Sequence, residues 1–319
     1  MKWTKSLLTF GFVLLGAAMA FAQAANPAAP DGPAIDTVAT AIPGIVAEGA
    51  KIQVLGGEFK GTEGPVHLPD GSLVFTEGQA KRLTKIDVKT DEASTFVDNV
   101  TASGLGFDKN GRLYAVGPDG LAIVYPKGSE KILADKTLAP GLYQGNDLTI
   151  DDKGGVYYTI LDAQVVMYVR PDGKVVKAAE KITRPNGITL SPDQKTLYVN
   201  DARGEYVLAF AVQPDGSLAN RRDFAKYDRT DPVTDGTPFK LTSGADGLIV
   251  DNDGRLYVAG LNGVIVYSNK GQYLGKIVSS RRPQNIAFGG ADGKTLYIVG
   301  REAVYKVRML AQGLKSRPR

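Results

Sequence analysis

The chain has 319 residues, 43% hydrophobic and 23% charged, enough for one large or two ordinary globular domains. A formal charge of +4, with no Lys/Arg cluster in the body of the chain, argues against a nucleic-acid partner. Zero Cys and one His exclude a disulfide framework, a thiolate nucleophile and a Cys-ligated zinc site.

The first segment joins a short basic start, "MKWTK", to the apolar run "SLLTFGFVLLGAAMAFA" and the small-x-small triplet "AQA" (Ala22–Ala24). This pattern predicts a secretory signal peptide over residues 1–24, with Ala20 as a second cleavage point and an uncleaved anchor as the alternative. No Cys follows, so a lipoprotein anchor is excluded. Loss of Lys2 and Lys5 brings the charge to +2. No other apolar run approaches about 18 residues, so the mature chain is expected in the periplasm or secreted, without stable membrane insertion. Residues 25–44, rich in Ala and Pro, read as a flexible leader, and 45–319 as a single domain.

That domain carries an internal repeat. Six times a short apolar run meets a Gly/Asp turn and a second apolar run: "PVHLPDGSLVFTE", "GLGFDKNGRLYAVG", "DLTIDDKGGVYYTI", "GITLSPDQKTLYVND", "GLIVDNDGRLYVAG" and "IAFGGADGKTLYIVG". Each is a hairpin signal. With Gly71, Gly111, Gly154, Gln194, Gly254 and Gly293 as turn anchors, the spacings are 40, 43, 40, 60 and 39 residues. Such a period predicts an all-β fold, a six-bladed β-propeller with four strands per blade.

Eight residues before each anchor stand Glu63, Ser103, Asn146, Asn186, Asp246 and Asn285, five of them carboxylates or carboxamides. In a propeller these positions start the innermost strands and form a ring at one mouth of the central channel. Asn and Asp also recur before strands as local turn formers. A shared offset in otherwise different repeats, and a Glu that is a poor turn former, favour a site. One Glu, one Asp and amide oxygens make a hard oxygen set for one divalent cation: Ca²⁺ first, with Mg²⁺, Mn²⁺ or Zn²⁺ as alternatives. Such an ion polarises a carbonyl or phosphoryl oxygen and acidifies water, and a mobile carboxylate can serve as general base.

The runs "EGPVHLPDGSLVFTE", "GNDLTIDDKGGVYYT", "RPNGITLSPDQKTLYVND", "ADGLIVDNDGRLYVAG" and "PQNIAFGGADGKTLYI" resemble successive blades of the senescence-marker-protein/regucalcin/gluconolactonase family, from about Glu63 to Val307. The resemblance implies a six-bladed propeller with a divalent ion in its tunnel and a metal-dependent lactonase of the gluconolactonase type, acting on a small-molecule sugar lactone. A phosphotriesterase-like hydrolase and a non-catalytic ligand-binding propeller are the alternatives. It further implies Glu63, Asn186 and Asp246 as metal ligands, Asn146 as a fourth ligand or a substrate and water contact, and Asp246 as the base. Two departures bear on substrate: Gln144 stands where members often have Arg, and Ile160 where an Asp is common.

Around these positions, Asp147 and Asp201 are candidates to orient ligands or water, and equally strand-end caps. Alternation would put Glu63, Pro65 and His67 on one side of a strand, giving His67 access to the tunnel. Tyr143, Gln144 and Arg184 precede ring positions and are candidate substrate contacts. The long fourth spacing places about twenty extra residues near Asn220–Lys240, which read as a loop over the site.

Overall fold

Short apolar runs broken by tight turns fold here into antiparallel four-stranded meanders; the computed structural model describes residues 32–233 and 240–314. Blade 1 comprises Thr62–His67, Leu73–Glu77, Arg82–Ile86 and Ala93–Asp98, and blade 2 Gly104–Phe107, Leu113–Gly117, Gly120–Tyr125 and Lys131–Ala134. Blade 3 is Leu148–Ile150, Val156–Ile160, Val165–Val169 and Val175–Glu180; blade 4 is Pro185–Leu190, Thr196–Asp201, Tyr206–Val212 and Leu218–Lys226. Blade 5 is Leu248–Val250, Leu256–Gly260, Gly263–Tyr267 and Tyr273–Ile277. Blade 6 takes Asn285–Gly289, Thr295–Gly300 and Ala303–Arg308 from the C-terminal part and Lys51–Gly56 from the N-terminal part. The six expected turn anchors all adopt positive φ, from 58° at Gln194 to 89° at Gly71.

The core explains why the strands read as nearly unbroken apolar runs. Among the described residues, buried apolar side chains fall into six clusters, one at each blade–blade interface. Alternation sends successive side chains of one strand to opposite neighbours, so both faces are buried. Tyr157 packs between blades 3 and 4, whereas adjacent Tyr158 packs between blades 2 and 3.

The ring closes by pairing the two ends of the domain, with Ile52 opposite Val307 and Gln53 opposite Lys306. Here the reading of residues 25–44 as flexible needs correction over its described part, 32–44; residues 25–31 lie outside the described residues. Thr37–Val38 adds a fifth strand outside Lys51–Gly56, and Ala39 and Ile42 join the core between blades 5 and 6. Composition reads this stretch as mobile, but two apolar side chains find a groove to fill. The predicted signal peptide lies outside the described residues. The insertion is also corrected in part: Asn220–Lys226 continues the outer strand of blade 4 rather than forming a loop. Beyond it, Asp231–Pro232 pairs with Leu241–Thr242.

Candidate active site

A repeated backbone hydrogen bond identifies the ring. The amides of Ser103, Asn146, Asp246 and Gln284 donate to Val116, Thr159, Ala259 and Val299 O, at 2.8 to 2.9 Å. Glu63 lies opposite Thr76, the corresponding residue of blade 1. In blade 6 the ring residue is therefore Gln284, and the expected Asn285 lies one position further on. Its turn is longer, with Phe288 paired to Leu296 where blade 3 pairs Ile150 to Val156, so counting eight back from Gly293 stops one residue short. Exposure agrees: Glu63, Ser103, Asn146, Asn186, Asp246 and Gln284 are all half-buried, while the residue after each is buried.

That following residue is Gly in four blades because the inner strands crowd around the axis. A Cβ at Gly64 would lie 2.5 Å from Ser103 O, and one at Gly187 2.2 Å from Asp246 O. Where the position is polar, the preceding blade makes room for it. A Cβ at Gly104 would meet Asp147 Oδ1 at 3.0 Å, and one at Gly247 would meet Asn285 Oδ1 at 1.9 Å. Asp147 and Asn285 share one local geometry, each Oδ1 accepting the next residue's amide at 2.9 Å. The second oxygen of Asp147 accepts the Ile188 amide of blade 4 at 3.3 Å, whereas Asn285 Nδ2 donates to Glu63 Oε2 at 3.2 Å.

The ring is charged and partly dehydrated. Burial pushes the Glu63 carboxyl well above the usual carboxylate range, and the charges of Asp246 and Asp147 raise it further against hydrogen bonds from Asn285 and the Gly64 amide. Burial likewise raises Asp246 to about 7; Arg282 opposes the shift, Asp147 adds to it, and Asn186 and Arg184 oppose it. Among the described residues no three acidic or histidine side chains converge into a metal-holding group of their own. A cation here would have to take amide oxygens, and one is ready: Asn186 Oδ1 is buried with no hydrogen-bond partner. Its Nδ2 faces Ala245 O at 3.5 Å and the Asp246 carboxyl, an arrangement that leaves the amide oxygen on the other side. Two carboxylates and an orphaned amide oxygen fit a hard divalent cation.

The remaining candidates divide. Asp201 is a clamp on the loop leading into the ring, its oxygens accepting the Thr183, Arg184 and Arg203 amides at 2.9 to 3.2 Å. Glu77 holds the corresponding position in blade 1, accepting the Lys60 amide at 2.8 Å and bonds from Arg82 and Thr84. Ile160 occupies the same place in blade 3, so its lack of a carboxylate removes a loop clamp, not a substrate contact. His67 is on the wrong side. Glu63 pairs with Thr76 but Val66 with Val74, and the extra residue shifts the alternation by one. His67 Nδ1 instead bonds Leu68 O at 2.9 Å, and burial lowers its pKa. Tyr143 packs against the cluster between blades 2 and 3, and Gln144 is exposed. Arg184 pairs with the exposed Asp162 at 3.1 Å.

Several supporting residues escaped the sequence reading. Thr159 Oγ1 donates to Asn186 O at 2.7 Å and Asn200 Nδ2 to Asp246 O at 2.6 Å, each bracing the ring residue of the next blade. Tyr227, from the insertion, donates its hydroxyl to Asn200 Oδ1 at 3.2 Å. The signal for Arg282 was present: "RP" precedes the ring position in blade 6 as it does in blade 4.

Residues 61–301 match the family described as the SMP-30/Gluconolactonase/LRE-like region. A gluconolactonase of Zymomonas mobilis is 25% identical over 296 residues, covering 81% of each chain. A solved gluconolactonase of Xanthomonas campestris superposes with a TM-score of 0.72 at 23% identity, covering 89% of this chain and 99% of that one. A regucalcin of Agrobacterium tumefaciens, described as a calcium-binding protein, gives 0.66 at 19% identity, covering 82% and 93%.

Proposed function

This chain belongs to the SMP-30/gluconolactonase/LRE-like family, and on that premise we propose that it is an exported, divalent-cation-dependent hydrolase that opens a sugar lactone, or a similar lactone, to the hydroxy acid. The observation that carries the proposal is the buried, unpartnered Asn186 Oδ1 on a ring that also bears Glu63 and Asp246. The lactonase names of the relatives and the calcium-binding description of the regucalcin support the substrate class and the ion.

Glu63, Asn146, Asn186 and Asp246 are the residues that would hold the ion, Ca²⁺ in the first instance. When bound, a divalent cation there supplies a Lewis acid for the carbonyl oxygen of the lactone. Asp246, in its ionised form, takes a proton from water as the water oxygen bonds the carbonyl carbon. It returns that proton to the ring oxygen as the ester C–O bond breaks. Ligand and base roles compete for this one carboxylate, and Arg282 and Arg184 favour its ionised form. Tyr143 and Gln144, on the loop leading to Asn146, would contact the substrate. A periplasmic or secreted location rests on the signal-like segment 1–24 alone.

Chelator-stripped protein, reloaded with Ca²⁺, Mg²⁺, Mn²⁺ or Zn²⁺, would be assayed on aldonolactones and phosphotriesters. The proposal expects ion-dependent lactone opening. Hydrolysis of phosphotriesters alone would replace the substrate class. Cation binding without turnover of either would leave only a ligand-binding propeller.

A further inference from the structure

The Glu63 carboxylate is held from both sides by blade 6. Gln284 Nε2 donates to Oε1 at 3.3 Å, and Asn285 Nδ2 donates to Oε2 at 3.2 Å, where the Gly64 amide also arrives at 3.2 Å. Neither amide is free to turn over. Gln284 Oε1 accepts the Arg301 amide at 2.7 Å, and Asn285 Oδ1 accepts the Ile286 amide at 2.9 Å. A carboxamide whose oxygen is engaged by a backbone donor must present its NH₂ on the other side. The backbone of blade 6 therefore decides that two N–H donors face Glu63.

We propose that Gln284 and Asn285 are positioning residues for the cation site, a two-amide clamp that fixes the Glu63 carboxylate before any ion arrives. The inference rests on the cation reading given above. A Glu side chain has two sp³ methylene torsions beyond Cα, and an unheld carboxylate would have to be ordered at the moment of binding. Here the ordering is done by the fold. The single N–H on Oε1 leaves that oxygen a lone pair for a cation, while two N–H groups engage Oε2. Asn285 serves this role because its blade departs from the Gly found after the ring residue in blades 1, 2, 4 and 5, and Gly247 leaves the space its amide occupies.

The test uses the full-length folded protein and Mn²⁺ as the probe. Wild type, Glu63→Gln, Gln284→Met and Asn285→Ala would be stripped, checked by circular dichroism, and titrated calorimetrically. Partners that orient a ligand are typically worth about 10–100-fold in metal affinity, and each clamp variant should weaken Mn²⁺ by that factor. A purely structural role for either amide would lower the melting temperature of the stripped protein and leave the Mn²⁺ affinity as it was. Wild-type binding with unchanged affinity in the clamp variants overturns the clamp alone. Wild-type protein that binds no Mn²⁺ overturns the clamp and the cation reading together. If one variant fails to fold, the other decides.

Discussion

Asn186 carries the sharpest contradiction at the scale of single residues: an amide oxygen buried at a strand start with nothing to bond. A buried polar atom left unsatisfied calls for a partner, and on a ring that also bears two carboxylates a cation is that partner. Asn186→Leu should therefore weaken cation affinity by about 10–100-fold, in the range found for groups around metal sites. The stripped variant should melt close to wild type, because loss of an unpaired polar atom offsets loss of the contacts its Nδ2 makes to Ala245 O and the Asp246 carboxyl. Calorimetry and thermal melts with and without chelator check both halves. Asn200 makes the opposite case. Its amide braces Asp246 O at 2.6 Å and its oxygen accepts from Tyr227, so Asn200→Leu removes two buried hydrogen bonds, while Asp246 O keeps the Gly187 amide and the Tyr227 hydroxyl the Asp201 amide. It should cost about 0.5–1.5 kcal/mol per lost bond in urea unfolding of the stripped protein.

At the scale of strands and turns, closure of the ring depends on Lys51–Gly56 lying against Ala303–Arg308. Ile52 is fully buried there, and Ile52→Ala should destabilise by about 2–5 kcal/mol in chemical denaturation, the range for emptying a core site. Elements are also where the sequence was most and least readable. The hairpins were plain because positive-φ turns demand Gly or a tolerant substitute, which punctuates the chain every 40 residues or so. The positions of all four proposed ligands followed from that punctuation, and their role as ligands from the family resemblance. The misplacements came from single-residue irregularities that no composition signal marks. A longer turn in blade 6 moved the ring from Asn285 to Gln284, and a bulge after Glu63 turned His67 away. Asp201 could not be settled from sequence because a clamp and a ligand-orienting carboxylate look alike until their donors are seen.

For the whole molecule, the six blades surround a mouth where fold stability and function oppose each other. Glu63 and Asp246 have carboxyls raised above their unfolded values, so in the absence of a cation the folded state binds their protons more tightly. Their contribution to stability is fully present below about pH 4, the ordinary carboxylate range, and is lost as pH rises through the folded values, about 7 for Asp246. Melts in chelator should fall between pH 5 and pH 8, and Asp246→Asn should flatten that fall. Saturating Ca²⁺ should flatten it too, because a bound cation favours the ionised pair. A chelated melting temperature that rises over this interval would contradict the assignment of the ring as the dominant titrating unit.

The most direct test of the central claim is to measure bound metal and lactone turnover together on wild type, Glu63→Gln and Asp246→Asn after stripping and reloading. The account predicts one equivalent of divalent metal and turnover in wild type, turnover abolished by chelator and restored by the ion, and loss of both in each variant. Unaltered metal content in both variants, or full turnover by metal-free wild type, would contradict it.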